Sequence, residues 1–593
     1  MKYLNIGILA HVDAGKTSLT ERLLYTAGVI DKIGSVDAGN TQTDSLQLER
    51  QRGITIKSAV ASFDIGDTRV NLIDTPGHPD FIAEVERVLS VLDGVVLVIS
   101  AVEGVQPQTR ILMRALQRLK IPTVIFVNKI DRMGARYDDL LEEIAAKLSL
   151  EAAPMVTVGN LGHKNANVKL SIQVKPSNAT PIFFGSAITG AGVVELMNTL
   201  PTLLSGANNS AQATSGTIFK IERGQRGEKI AYLRMFSGTI RARENLPFGK
   251  VVALHVYRHG QTLATTSLGA GEIGKVWGLG RAQVGDVVGE ASNAISAFAP
   301  PTLEAGVVAK NAQQQAALNT ALKQLAEQDP LINLRQSGQN LYVSLYGEVQ
   351  KEVIAMTLAQ DFGVEAAFER TQPICIERLV GTGYAVQFLQ EESNPTSATV
   401  GLRIEPGQPG SGLVVRLENI SPRLLPLYIY KNTSNFVGHM REYVIETLRH
   451  GLEGLEVTDC IVTITDSNYY VGDGMGKPIS ETPKTTAADF RALAPTILHK
   501  ALQQAGTVIC EPICHFTLEV PNDALARILP VLAQLRAIPS STEPGRGVYV
   551  LRGEIPSALI HDLQQRLPDL TSGEGFLEYV FDRYEPKRGF EHR

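Results

Sequence analysis

Cysteine is scarce in this chain, with four in 593 residues: Cys375, Cys460, Cys510 and Cys514. None is spaced as Cys-x-x-Cys, so neither a disulfide framework nor a zinc finger is expected, and a reducing cytoplasm suits the sequence. Long apolar runs are missing too. No stretch of about 18 consecutive apolar residues occurs, which argues against a membrane-spanning helix. The opening MKYLNIGILAHVD lacks the extended apolar core of a secretory signal. Nor is there a strong excess of one charge: the net charge of −5 by itself argues for no class of partner. What is present is an ordinary globular composition, 44% hydrophobic and 20% charged, which excludes global disorder. At roughly 100–200 residues per domain, the length predicts about four domains.

Residues 1–200 alternate strand and helix patterns. Tyr3–His11, Arg69–Asp74, Gly94–Ser100, Pro122–Asn128 and Pro181–Gly185 read as strands. Lys16–Ala27, Gln108–Leu119, Asp138–Leu148 and Val193–Leu200 read as helices, and Phe81, Val85, Val88, Leu89 and Leu92 form one apolar helical stripe. Strands that are apolar throughout, alternating with helices, predict a parallel sheet covered on both faces. The polar segment Gly159–Ala179 reads as a surface insertion and Leu204–Thr217 as a linker. Short Gly-separated strands then predict a β-barrel. The expected division is an α/β domain over 1–214 and a barrel over 215–300. A small split-βαβ, ferredoxin-like α+β unit follows over 301–375. An elongated α+β domain over 376–509 contains a helix at Ala487–Ala505. A second ferredoxin-like unit occupies 510–593, with a loose polar tail from Tyr584. The barrel alone is net basic, with eleven Lys and Arg against six Asp and Glu. That reads either as a surface for RNA phosphates or as an ordinary solvated one.

The chemistry concentrates near the N-terminus. Ala10–Thr17 (Ala10, His11, Val12, Asp13, Ala14, Gly15, Lys16, Thr17) follows a buried strand and opens a helix, the setting of a phosphate-binding loop. Ala10 stands where the bare pattern has its first glycine. Loop and helix N–H groups would face the phosphates. Lys16 would reach the β- and γ-phosphates, and the Thr17 hydroxyl would ligate Mg²⁺. Asp74, Thr75, Pro76, Gly77 and His78 end the next strand; there Asp74 can hold Mg²⁺ through water and the Gly77 amide can sense a γ-phosphate. Asn128, Lys129 and Asp131 (in Asn-Lys-Ile-Asp) end another strand. A carboxylate there can accept from both the N1–H and the exocyclic amine of guanine. Adenine offers no such pair, so Asp131 argues for GTP over ATP and against a P-loop kinase. Ser186 and Ala187 can reach the guanine oxygen through a backbone amide. Thr55 lies where a switch segment ordered by the γ-phosphate belongs. His78 stands where other GTPases carry a water-positioning glutamine. Lys16, Thr55 and His78 are therefore the expected catalytic set, with Thr17 and Thr55 on the metal.

Together AHVDAGKT, RGITI, DTPGH and NKID resemble translational GTPases of the elongation factor G group. LNIGILAHVDAGKTSLTERLLYTAG, LERQRGITI, EGVQPQTRILMRAL, GSGLVVRLENIS and TTAADFRALAP look most like the tetracycline-resistance ribosomal protection branch. The resemblance spans essentially the whole chain. It implies five domains, GTP and Mg²⁺ as cofactors, and ribosome-stimulated hydrolysis of GTP to GDP and phosphate. It implies the bacterial ribosome, through RNA of both subunits, as partner of a cytoplasmic monomer that touches no membrane. It further implies that Asp13 helps hold a monovalent cation and that the sarcin–ricin loop orients His78. A loop before Ala487–Ala505, around Ser480–Thr486 and including Thr482, Pro483 and Lys484, would displace tetracycline from the decoding region. The tip Tyr469–Thr486 departs from better-known members in length and sequence. The alternative is an elongation factor G-like translation factor with no resistance role.

Overall fold

The computed structural model describes residues 2–34, 55–56, 58–171, 179–204, 213–224, 226–289, 301–337, 340–418, 420–470, 484–545 and 547–587. The chain forms two compact units. One comprises residues 1–301, 305–335 and 343–369; the other comprises 302–304, 336–342 and 370–593.

The first unit begins with a seven-stranded sheet. Its spatial order is Ala59–Ile65, Thr68–Asp74, Lys2–Ala10, Gly94–Ser100, Thr123–Asn128, Thr180–Phe184, Ala152–Pro154. Ala59–Ile65 runs antiparallel to its neighbour, and the other pairings are parallel. The central strand Gly94–Ser100 (GVVLVIS) is buried at every residue, because helices cover both faces. After Lys2–Ala10 the chain forms the edge strand Ala59–Ile65, returns through Thr68–Asp74 beside Lys2–Ala10, and then crosses to Gly94–Ser100 on the other side. The loop that follows Lys2–Ala10 therefore sits at the topological switch point, where open α/β sheets bind ligands. The expected insertion, Gly159–Ala179, begins at the end of an antiparallel hairpin's first strand, Val156–Gly159, and contains its second, Asn167–Leu170; residues 172–178 lie outside the described residues.

The expected barrel segment is one six-stranded sheet and two short ribbons around its own core. Its first strand, Ser215–Arg223, takes up the end of the segment read as linker; of that segment, 205–212 lie outside the described residues. Four of its basic residues are spent internally. Lys220 pairs with Glu222 at 2.6 Å, and Arg234, 1% exposed, pairs with Asp93 at 3.0 Å. Arg223 and Lys229 share Glu327. The positive excess thus partly anchors the barrel to its neighbours instead of facing solvent. Farther along the chain, Leu303–Ala309, Gln315–Gln328, Asn340–Leu345, Glu348–Phe362 and Ala366–Phe368 follow in strand–helix–strand–helix–strand order.

The second unit has two sheets. One orders Gly383–Gln387, Ala398–Pro406, Cys460–Tyr469 and Leu413–Leu417, with Ala487–Ala505 packed on it through Phe490, Ile497 and Leu498. That helix starts at a capping box in which Thr486 and Asp489 each bond the other's backbone, and it stops at Gly506, φ 68°. The other sheet centres on the 15-residue strand Thr507–Pro521. The expected boundary at 509/510 falls inside this strand. Its first half pairs with Ile376–Leu379 and its second with Val548–Pro556, so the chain before and after Ala487–Ala505 shares a sheet. The tail expected to be loose from Tyr584 is instead ordered through Pro586, because Phe576–Pro586 pairs antiparallel with Thr507–Pro521. Residues 588–593 lie outside the described residues. Among the described residues, no helix is long and apolar enough to cross a membrane.

Candidate nucleotide site

The motifs converge at the C-terminal edge of the parallel strands. Lys2–Ala10 delivers the phosphate loop, which turns through Asp13 (φ 64°) and Gly15 (φ 89°) into the helix Lys16–Thr26. Gly15 is required twice over. Its φ is left-handed, and a Cβ there would lie 2.3 Å from Asn128 Nδ2. Asn128, at the end of its own strand, holds the loop directly. Its Nδ2 donates to the Ala14 carbonyl at 2.9 Å, and its Oδ1 accepts the Ala187 N–H at 2.9 Å. One amide thus binds the phosphate loop to the Ser186–Ala187 turn. Asn128→Ala would leave two buried backbone groups unpaired, at about 1–3 kcal/mol each. The variant is expected to melt several degrees lower and to bind GTP more weakly, measured by thermal unfolding and nucleotide titration.

Four of the expected phosphate and metal residues meet. Lys16 Nζ lies 3.1 Å from Thr55 Oγ1 and 3.5 Å from Thr17 Oγ1, and it forms a buried ion pair with Asp74. Thr17 Oγ1 and Thr55 Oγ1 are 3.2 Å apart. Two hydroxyls beside a carboxylate make an all-oxygen donor set, which suits a hard cation such as Mg²⁺. Thr75 donates its hydroxyl proton to the Ile8 carbonyl at 2.8 Å, tying the second switch to the strand that carries the phosphate loop. Gly77 runs beside the same loop: a Cβ there would be 3.2 Å from the Ala10 carbonyl oxygen. His78 lies just beyond and accepts the Asp80 N–H on Nδ1 at 3.2 Å. Of the switch motif RGITI, Thr55 and Ile56 are described and 52–54 are not.

Three residues, Glu103, Thr109 and Asp80, escaped the sequence reading. Glu103 bonds Lys129 Nζ at 3.1 Å and His11 Nε2 at 3.4 Å, so one carboxylate joins the base motif to the phosphate loop. Burial opposes ionisation of Glu103, but Lys129 and His11 hold it below the usual carboxylate range. Burial also pushes His11 down, against the opposing pull of Glu103, and its Nδ1 meets Thr109 Oγ1 at 3.0 Å. Glu103 follows the strand Gly94–Ser100, a central strand of the sheet whose ligand-edge end carries none of the expected site residues; that gap was the available signal. The third is Asp80, two residues past His78.

Of the expected tip loop, Thr482 and Pro483 lie outside the described residues and Lys484 is exposed. The residues flanking the tip are clasped. The Tyr470 N–H donates to Thr485 Oγ1 at 2.7 Å, the Thr485 N–H donates to the Tyr470 carbonyl at 3.1 Å, and Thr485 is 1% exposed. The Thr485 hydroxyl also donates to the Ser397 carbonyl.

The elongation factor Tu GTP binding domain family matches residues 1–205. The elongation factor G domain III family matches 298–370, and the elongation factor G C-terminus family matches 508–591. The oxytetracycline resistance protein of Streptomyces rimosus is 42% identical over 99% of this chain and 96% of its own. The tetracycline resistance protein TetM of Streptomyces lividans is 42% identical over 97% of this chain and 95% of its own. The tetracycline resistance protein TetP of Clostridium perfringens is 36% identical over 98% and 95%. A crystal structure from Thermus thermophilus shares the fold at TM-score 0.63 and 21% identity, covering 99% of this chain and 97% of that one. With the nucleotide-site motifs at one sheet edge and relatives this similar along nearly the full length, the chain belongs to the tetracycline resistance ribosomal protection proteins, GTP-hydrolysing translational GTPases of elongation factor G-like build.

Proposed function

We propose that this protein binds the bacterial ribosome, contacts RNA of both subunits, and displaces tetracycline from the decoding region in a cycle driven by GTP hydrolysis. It acts as a cytoplasmic monomer. The observation that carries the reading is the meeting of Lys16, Thr17, Thr55 and Asp74 at one point, in a chain whose relatives are named for tetracycline resistance. Asp131 accepts two hydrogen bonds from guanine, while Asn128 and the Ala187 amide shape the floor of the base site. Lys16 exchanges Asp74 for the β- and γ-phosphate oxygens. Thr17 and Thr55 would hold Mg²⁺, with Asp74 behind them, and a cation bound there would supply neutralisation of the charge that develops between the β- and γ-phosphates. Thr55 would supply the second hydroxyl, 3.2 Å from that of Thr17. Asp13 lies on the same loop and helps hold a monovalent cation. His78 places the attacking water once the sarcin–ricin loop orients its ring.

The tip between Tyr470 and Thr485 carries the drug-releasing contact through Thr482, Pro483 and Lys484. Proline fixes φ, so little ordering entropy is lost when such a segment enters an RNA pocket. Replacing Thr482–Lys484 by glycines leaves the Thr485 clasp and the Thr486–Asp489 capping box intact. Folding and ribosome-stimulated GTP hydrolysis are therefore expected to persist, while release of ribosome-bound labelled tetracycline is lost. Growth of a susceptible bacterium carrying the gene on graded tetracycline tests the whole reading. Robust GTP hydrolysis on ribosomes, with neither drug release nor resistance from the wild type, would favour a translation factor without a resistance role.

A further inference from the structure

The helix Glu348–Phe362 begins at Gly347, which has no side chain with which to cap it. The cap comes from elsewhere. Asp80, 269 residues before Val349, accepts the Val349 N–H at 2.9 Å and the Gln350 N–H at 3.2 Å on the same oxygen, Oδ2. These are two of the free amides that every helix N-terminus presents, and a carboxylate is favoured there by the helix dipole. Gly347 makes the approach possible. Its backbone is fully extended (φ −177°), a conformation open to any residue, but a Cβ would sit 2.4 Å from Asp80 Oδ1. The position is small because the carboxylate occupies the space, not because the turn needs glycine.

Asp80 also faces the hydrolytic residue. Its N–H donates to His78 Nδ1 at 3.2 Å, and its Oδ1 lies 3.7 Å from the same nitrogen. The next residue, Phe81, packs with Ile56 and Val353 in a small apolar cluster joined by Val349 and Met356. Ile56 directly follows Thr55. One turn of the helix therefore touches both switches, by a charged cap next to His78 and by an apolar contact next to Thr55.

We propose that Asp80 is a positioning residue that couples docking of the helix Glu348–Phe362 to the orientation of His78. With the helix N-terminus seated on its carboxylate, the backbone at 78–80 is held so that the Asp80 amide meets Nδ1. With the helix withdrawn, that restraint is lost and the imidazole turns away from the water it must place. The inference rests on the reading of His78 as the water-placing group.

Three variants decide it: His78→Ala, Asp80→Ala and Gly347→Ser. The serine offers the helix a cap of its own while its Cβ displaces the Asp80 carboxylate, so the helix is kept and the link is cut. For each, the affinity for a fluorescent GTP analogue, the melting temperature and ribosome-stimulated single-turnover hydrolysis are measured. Asp80→Ala and Gly347→Ser are expected to bind the nucleotide as the wild type does and to hydrolyse GTP on ribosomes about tenfold more slowly or worse. Asp80→Asn, which keeps one acceptor oxygen, is expected to recover part of the rate; a purely structural loss would instead follow the melting temperature. A wild-type rate in Gly347→Ser, with His78→Ala inactive, would overturn the coupling and leave the role of His78 standing. A wild-type rate in His78→Ala would overturn both. If Asp80→Ala fails to fold, Gly347→Ser alone decides.

Discussion

His78→Ala is expected to bind GTP almost as the wild type does and to lose about 10²-fold or more of its ribosome-stimulated turnover, the scale for one positioned proton-handling group. The geometry makes the split. Among the described residues, the contacts given for Lys16 Nζ are with Thr17, Thr55 and Asp74 and not with the imidazole, so truncation leaves them in place. Gly77 keeps its place against the phosphate loop without it. Nδ1 accepts the Asp80 N–H, which leaves the Nε2 edge to meet a water molecule. The side chain is 25% exposed, so water reaches it. Rapid-mixing hydrolysis with saturating ribosomes, beside a nucleotide titration, checks both halves. An alanine variant that hydrolyses GTP on ribosomes at the wild-type rate would remove His78 from the chemistry.

Asp131→Asn should change the nucleotide that the protein accepts. The substitution replaces one acceptor oxygen by a donor facing the guanine N1–H and amine, and GTP affinity is expected to fall by about 1.5–3 kcal/mol, the scale for a charge-assisted hydrogen bond. Xanthosine triphosphate, which presents an oxygen in place of the amine, is expected to become competitive. The frame around the base should survive. Lys129, in the left-handed region at φ 71°, remains paired with Glu103, and Asn128 still joins Ala14 to Ala187. Competition of GTP, ATP and xanthosine triphosphate against a labelled nucleotide reads the change. Equal affinity of the wild type for ATP and GTP would refute the assignment of Asp131.

The sequence by itself determined the parts of this protein whose information is local. A buried strand followed by a glycine-turned loop and a helix is legible because strand burial, Gly15 and Lys16 are neighbours in the chain. The helix Ala487–Ala505 was legible for the same reason: the observed bounds coincide with its periodicity, and Thr486 and Asp489 cap it within one turn. The order of the motifs implied a shared sheet edge, since parallel strands linked by helices place their C-terminal ends together. The tertiary structure alone decided which distant residues complete these local devices. Glu103 joins His11 to Lys129 from a loop with no recognisable spacing. Basic residues of the barrel segment turn inward because Asp93 and Glu327 meet them there. Tyr584–Pro586, polar enough to read as a tail, is ordered because Thr507–Pro521 offers its backbone an unpaired edge. The helix at Glu348 takes its cap from Asp80, across 269 residues. A hydrogen bond or ion pair is specified by distance and direction in space, and sequence separation carries neither unless a repeating local geometry links the two.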